Sequence, residues 1–78
     1  MSELAKLRWK CRRGMKELDL LLIGYLDSRY PGVDAAEQGA FRALLDLQDP
    51  VLFDYVTGRE RPASEDERRV IDALRRAP

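Results

Sequence analysis

A run of charged residues around one glycine is the part of this chain best suited to chemical recognition. Arg12 and Arg13 precede Gly14, and Lys16 and Glu17 follow it. Arginine does not give up its proton at useful pH, so these side chains are better suited to charge-assisted hydrogen bonds than to acid–base catalysis. Glycine allows another backbone to approach closely. The run therefore indicates a surface that recognises another macromolecule.

The same residues also have a purely structural interpretation. Cations in the last turn of one helix and acids in the first turn of the next stabilise the helix dipoles by about 0.3–1 kcal/mol each. A glycine after a basic run is also a natural C′ residue. One helix should then end near Arg13 and the next begin near Met15, with Gly14 closing the first. Composition alone favours this interpretation, and the order of the residues favours recognition.

The order of residues from Arg8 to Asp19 resembles that of the succinate dehydrogenase assembly factors, a family of small bacterial proteins and their mitochondrial relatives. The hallmark of that family is an Arg-Gly-x-x-Glu motif, and the resemblance covers most of the chain. The matching positions are Arg13, Gly14 and Glu17 of the motif, Leu18 and Asp19 after it, and Asp49, Pro50, Leu52 and Phe53 further along. Tyr55 replaces a tryptophan of many relatives, a change expected to alter packing only.

This resemblance implies a non-catalytic assembly factor that binds the flavoprotein subunit of succinate dehydrogenase, and in some bacteria that of fumarate reductase. The factor would hold the FAD domain and the capping domain of its partner so that FAD bonds covalently to a histidine of that subunit. It would hold no FAD tightly itself. The implied partner-binding residues are Arg13, Gly14 and Glu17 at the surface, Arg12, Lys16 and Asp19 at the rim, and Trp9 packed beneath.

The distribution of charge supports a protein partner. The 78 residues carry 14 bases and 14 acids, which argues against a general phosphate-backbone binder. Residues 1–16 hold six bases and one acid, a net +5, whereas residues 17–60 hold three bases and nine acids, a net −6. A basic head on an acidic body suits a docked protein better than a polyanion. A helical nucleic-acid-binding or regulatory interaction module is the competing function, because the first helix is basic.

Several function classes are disfavoured by residue usage. The chain has no histidine, so the commonest general base and a typical zinc ligand are missing, and no metal site or enzyme activity is expected. The single cysteine, Cys11, excludes an internal disulfide and fits the bacterial cytoplasm. The longest apolar run, Leu20 to Ile23, is far too short to cross a bilayer, and the N-terminus does not read as a secretory signal.

Hydrophobic periodicity predicts the elements that position the charged run. A first helix capped by Ser2 should bury Leu4, Leu7 and Cys11, with Trp9 opposite, either packed on a neighbour or exposed as an anchor. A second helix over residues 15–29 is apolar nearly all round, which is typical of a buried central helix.

Three further helices follow a break at residues 30–32. Their predicted starts are a capping box at Asp34 and Glu37, an Asp49 N-cap with Pro50 at the first helical position, and a second capping box at Ser64 and Glu67. The fourth helix should end at Gly58, with Phe53 and Tyr55 in the core. The sequence therefore predicts one all-α domain over residues 1–78, a compact five-helix bundle acting as a monomer.

Overall fold

Five α-helices and one short 3₁₀ turn make up the regular structure of residues 2–76, the part of the chain that the computed structural model describes. The helices are α1 (Glu3–Lys10), α2 (Lys16–Ser28), α3 (Ala35–Leu45), α4 (Asp49–Thr57) and α5 (Glu65–Arg76), and the 3₁₀ turn is Tyr30–Gly32. The predicted all-α, five-helix fold is confirmed. Within these residues, no helix is long and apolar enough to cross a membrane.

Local capping residues start three of the helices where the sequence places them. The Ser2 hydroxyl accepts the Ala5 N–H at 3.1 Å, and the Asp34 carboxylate accepts the Glu37 N–H at 2.9 Å. At α5, the Ser64 hydroxyl accepts the N–H of the third helical residue at 3.3 Å. Each such cap stabilises a helix by about 1 kcal/mol.

The predicted capping box of α3 forms only in one direction. Glu37 does not return to the backbone of Asp34; its side chain is buried and accepts a hydrogen bond from the Tyr25 hydroxyl at 2.6 Å. The Arg29 guanidinium lies 3.6 Å from the same carboxylate. A buried carboxylate needs such partners, because desolvation without them is costly. Glu37 therefore ties α3 to α2 rather than capping α3.

The core draws side chains from every helix and is centred on aromatic contacts. Phe41 is fully buried, stacks on Tyr25 with ring centroids 4.5 Å apart, and packs against Tyr30 at 5.6 Å. The remaining buried hydrophobic residues are Leu7, Cys11, Leu18, Leu22, Leu26, Ala40, Leu44, Leu45, Leu52, Val70, Ile71, Ala73 and Leu74. Helix α5 packs against α2, α3 and α4.

Several predicted core positions are on the surface. Helix α2 buries only one face, and Leu20 on the opposite face is 62% exposed, so the prediction of a helix buried all round was wrong. Leu4 is 54% exposed and Phe53 36% exposed, against the prediction that both are core residues, whereas Tyr55 packs partly buried against the core. A small domain buries a smaller fraction of its surface on folding than a large one, and here one face of α2 stays exposed.

Helix α4 is displaced by one residue from its predicted start and ends where predicted. Its N-cap is Gln48, so Asp49 is the first helical residue and Pro50 the second. Gly58 is the C-cap and adopts the left-handed conformation, with φ of 84°. This conformation costs residues with a Cβ about 1–2 kcal/mol.

We expect Gly58→Ala to lower the free energy of unfolding by about 1–2 kcal/mol, because alanine resists a positive φ. A Cβ there would also meet the Arg75 guanidinium at 2.9 Å, although that flexible group can move. The matched control is Gly24→Ala in α2, where a Cβ meets nothing within 4 Å. It should raise stability by up to about 1 kcal/mol. Urea unfolding measures both variants, and equal effects would contradict the conformational argument.

Candidate functional site

The loop of residues 11–15 joins α1 to α2 and contains the centre of the charged run. Helix α1 ends at Lys10, three residues before the predicted end at Arg13, with Cys11 as its C-cap. The Arg12 N–H donates to the carbonyl of Trp9, three residues before it, at 3.1 Å. This 3₁₀-type hydrogen bond ends the helix earlier than predicted. Gly14 is therefore not the C′ residue of α1, and that prediction was wrong.

Gly14 nevertheless adopts the left-handed conformation, with φ of 81°. A Cβ added to it would meet nothing within 4 Å, so the position requires glycine for its backbone conformation and not for space. The residue lies exposed in the middle of the loop. Its role is to turn the chain between the two helices.

Asp19 stabilises the turn from the first turn of α2. Its two carboxylate oxygens accept the backbone N–H groups of Arg13 at 2.8 Å and of Gly14 at 3.2 Å. Loop N–H groups that would otherwise need water as a partner are thereby satisfied within the chain. The sequence predicts Asp19 as a rim contact for a partner. In the structure, both of its carboxylate oxygens already accept hydrogen bonds from the loop.

The Arg13 side chain points into the protein. Its guanidinium donates to the Leu45 carbonyl, to the Leu47 carbonyl at 2.8 Å and to the Asp49 carboxylate at 3.1 Å. Only 12% of the side chain is exposed, and Nε is the one buried side-chain nitrogen or oxygen without a hydrogen-bond partner among the described residues. The expectation of a surface arginine was wrong: the side chain holds the loop to the junction of α3 and α4.

The remaining charges of the run point outward. Arg12, Lys16 and Glu17 are exposed, and none of them forms an ion pair with another residue between 2 and 76. The neighbouring α1 cations differ in this respect, since Arg8 pairs with Asp27 and Lys10 with Asp46 at 3.0 Å. The loop and the first turn of α2 thus present three charges that form no ion pair among the described residues, next to a backbone held by internal hydrogen bonds.

Comparison with known proteins identifies the family of this chain. A family model described as flavinator of succinate dehydrogenase matches residues 5–78. The chain belongs to this family. One similar protein is named FAD assembly factor SdhE and comes from Pseudomonas aeruginosa. It is 43% identical to this chain over 70 residues, which is 90% of this chain and 83% of the relative.

Two further relatives of the same name support the assignment. The Coxiella burnetii protein is 41% identical over 66 residues, covering 85% of this chain and 80% of the relative. The Methylococcus capsulatus protein is 48% identical over 62 residues, covering 80% and 75%. The resemblance noted in the sequence is thereby confirmed for the family, and the motif residues Arg13, Gly14 and Glu17 lie in the loop just described and the first turn of α2.

Exposed aromatic residues lie on both sides of the loop. Trp9 is 68% exposed, so of the two alternatives it is exposed rather than packed on a neighbour, and it does not pack beneath the motif. With Arg12 and Ile23 it lines a depression of about 380 Å³. On the other side, Phe53 lines a depression of about 370 Å³ with Glu17. The sequence predicted Phe53 as core, because periodicity in the short helix α4 does not reveal which face lacks a neighbour.

Cys11 has no chemical part in the site. The side chain is fully buried, and burial raises the pKa of its thiol to about 11, although the Arg13 and Arg8 cations oppose the increase. The thiol therefore stays protonated and inaccessible at neutral pH, which makes Cys11 an inert core residue. In the described part of the chain, no three metal-ligating side chains come together.

We expect Arg13→Gln to lower the free energy of unfolding by about 1.5–3 kcal/mol, the range for hydrogen bonds to charged groups. The variant loses the bonds that join the loop to the α3–α4 junction. Arg12→Gln is the matched control: the neighbouring arginine is exposed, so its loss should change stability by less than about 0.5 kcal/mol. If chemical denaturation found the two variants equally stable, the internal role of Arg13 would be refuted.

Proposed function

We propose that this protein promotes covalent attachment of FAD to the flavoprotein subunit of succinate dehydrogenase, as a monomer that holds no FAD tightly itself. One observation carries the proposal in this chain of the flavinator family. Internal hydrogen bonds hold the loop of residues 11–15 in place, and the exposed charges of Arg12, Lys16 and Glu17 form no ion pair within residues 2–76. The relatives named FAD assembly factor supply the connection to FAD.

The proposed role is binding and not catalysis. The chain offers no histidine, its one thiol is buried, and its arginines do not act as bases. The bond to the flavin would form between FAD and a residue of the partner. The factor would contribute by binding the arrangement of the flavoprotein in which that bond forms.

A binding protein can promote a reaction in this way only through differential affinity. If the factor binds the productive arrangement of the flavoprotein tenfold more tightly than others, it shifts the balance between them tenfold, or about 1.4 kcal/mol. A loop that is already ordered helps, because binding then costs less conformational entropy. The bonds from Arg13 and Asp19 provide that order in the free protein.

Two groups of residues have separate parts in this proposal. Arg12, Lys16 and Glu17 would contact the partner, since their charged groups are exposed and form no ion pair within residues 2–76. Arg13 and Asp19 would position them without touching it. Gly14 would provide the turn.

A nucleic-acid-binding function has less support. Two cations of the basic helix α1, Arg8 and Lys10, already pair with Asp27 and Asp46. Phosphate binding would have to break these pairs or rely on the few cations that remain. The flavoprotein subunit of fumarate reductase, which the sequence resemblance also suggests, is a second target that the same assay can test.

Deletion of the gene tests the function as a whole. We expect the flavoprotein subunit to be present but to carry little covalent flavin, measured as fluorescence of the subunit in a denaturing gel. Expression of the unaltered protein should restore the fluorescence. Full flavin fluorescence in the deletion strain would refute the proposed function.

At residue level, we expect Glu17→Gln to weaken binding of the flavoprotein subunit about ten- to a hundredfold, because a charge-assisted hydrogen bond contributes about 1.5–3 kcal/mol. The melting temperature should fall by no more than a few degrees, because the carboxylate forms no ion pair within residues 2–76 and its interaction with the α2 dipole contributes only about 0.3–1 kcal/mol. Glu60→Gln is the control, an exposed acid far along the chain that also forms no ion pair within residues 2–76. Equal affinities of the two variants would place the docking surface elsewhere.

A further inference from the structure

Three surface depressions adjoin one another around the loop of residues 11–15 and the first turn of α2, because consecutive depressions share lining residues, and together they form what is here named the furrow. The first is lined by Trp9 and shares Arg12 and Ile23 with the second, which has a volume of about 350 Å³. The second shares Lys16 with the third, which ends at Phe53. The furrow, from Trp9 to Phe53, therefore runs from α1 across the start of α2 to α4, with the loop in its middle.

Exposed apolar side chains concentrate in this furrow. Among the described residues, five large hydrophobic side chains are exposed, and Trp9, Leu20 and Phe53 all line the furrow. The other two, Leu4 and Val51, lie outside its lining. Exposed apolar groups that cluster beside polar ones mark interaction surfaces, and aromatic residues dominate the binding energy of such surfaces.

The charges along the furrow have a fixed order. Arg12, Lys16 and Asp19 line its middle; the Asp19 carboxylate accepts hydrogen bonds from the loop, and the two cations form no ion pair within residues 2–76. Glu17 lies towards the Phe53 end and has no basic partner there. A ligand that lies along the furrow would be favoured if it placed a carboxylate near the two cations and a cation near Glu17.

We propose that the flavoprotein subunit binds along the whole furrow, through a surface segment with an apolar side chain at each end. An acidic residue of that segment lies against Arg12 and Lys16, and a basic residue lies against Glu17. This inference rests on the proposed function and extends it: Trp9 and Phe53 become the two anchors of the interface, and the motif charges set the direction in which the partner segment lies.

The anchors can be tested with variants that keep the fold. Trp9→Ala and Phe53→Ala should each weaken binding of the purified flavoprotein subunit by about tenfold or more, the effect of removing an aromatic anchor. Leu4→Ala on α1 and Val51→Ala on α4 are matched controls, because they remove exposed side chains from the same helices outside the furrow. Both controls should bind within about twofold of the unaltered protein, and circular dichroism should show all four folded.

Several outcomes would overturn the furrow as the interface. Unchanged binding in both anchor variants would do so, and so would a loss at only one end, which would confine docking to one side of the loop. Self-association that the anchor variants abolish, with flavoprotein binding intact, would make the furrow a surface between two copies. If the unaltered protein failed to bind the subunit at all, the proposed function itself would be refuted, which is a distinguishable result.

The order of charges has its own test. A carbodiimide joins an amine directly to a carboxylate that contacts it, so treatment of the complex should couple Lys16 to an aspartate or glutamate of the flavoprotein subunit. Peptide mapping by mass spectrometry identifies the pair. A bound complex in which Lys16 couples to no acid of the partner would overturn the proposed direction.

Discussion

The Arg13 guanidinium is the contact on which the candidate site depends. It joins a loop near the N-terminus to two carbonyls and a carboxylate that lie 32 to 36 residues further along the chain. The carbonyls of Leu45 and Leu47 come at the end of α3, where a cation also complements the helix dipole. One side chain therefore fixes the position of the loop relative to α3 and α4, and through them relative to Phe53.

The residues of the family motif and those beside it thereby fall into two groups with different physical tasks. Arg13, Gly14 and Asp19 build the turn through internal hydrogen bonds and a left-handed backbone. Lys16 and Glu17 follow that turn, and their side chains are exposed and form no ion pair within residues 2–76. A recognition loop needs both kinds of residue, because charges on a mobile loop would lose much of their binding energy in becoming ordered. Because the core of this protein is small, internal hydrogen bonds hold the loop in place of the packing that a larger domain would provide.

The features that could be predicted from the sequence are those that local chemistry decides. Helix periodicity, the caps at Ser2 and Asp34, and the end of the fourth helix at Gly58 all depend on neighbours within a few residues. The inward course of Arg13 and the exposure of Trp9 depend on which helices become neighbours, and periodicity carries no such information. The resemblance identified the motif, but it did not separate the residues that build the loop from those that are free to bind.

The claim that the loop is ordered before any partner binds can be measured directly by amide hydrogen exchange, followed by nuclear magnetic resonance of the free protein. The account predicts that the Arg13 and Gly14 amides, which donate to Asp19, exchange at least about tenfold more slowly than in an unfolded chain. Asp19→Ala should remove that protection while helix amides of the core keep theirs. Exchange of both amides at the unfolded rate in the unaltered protein would contradict the account.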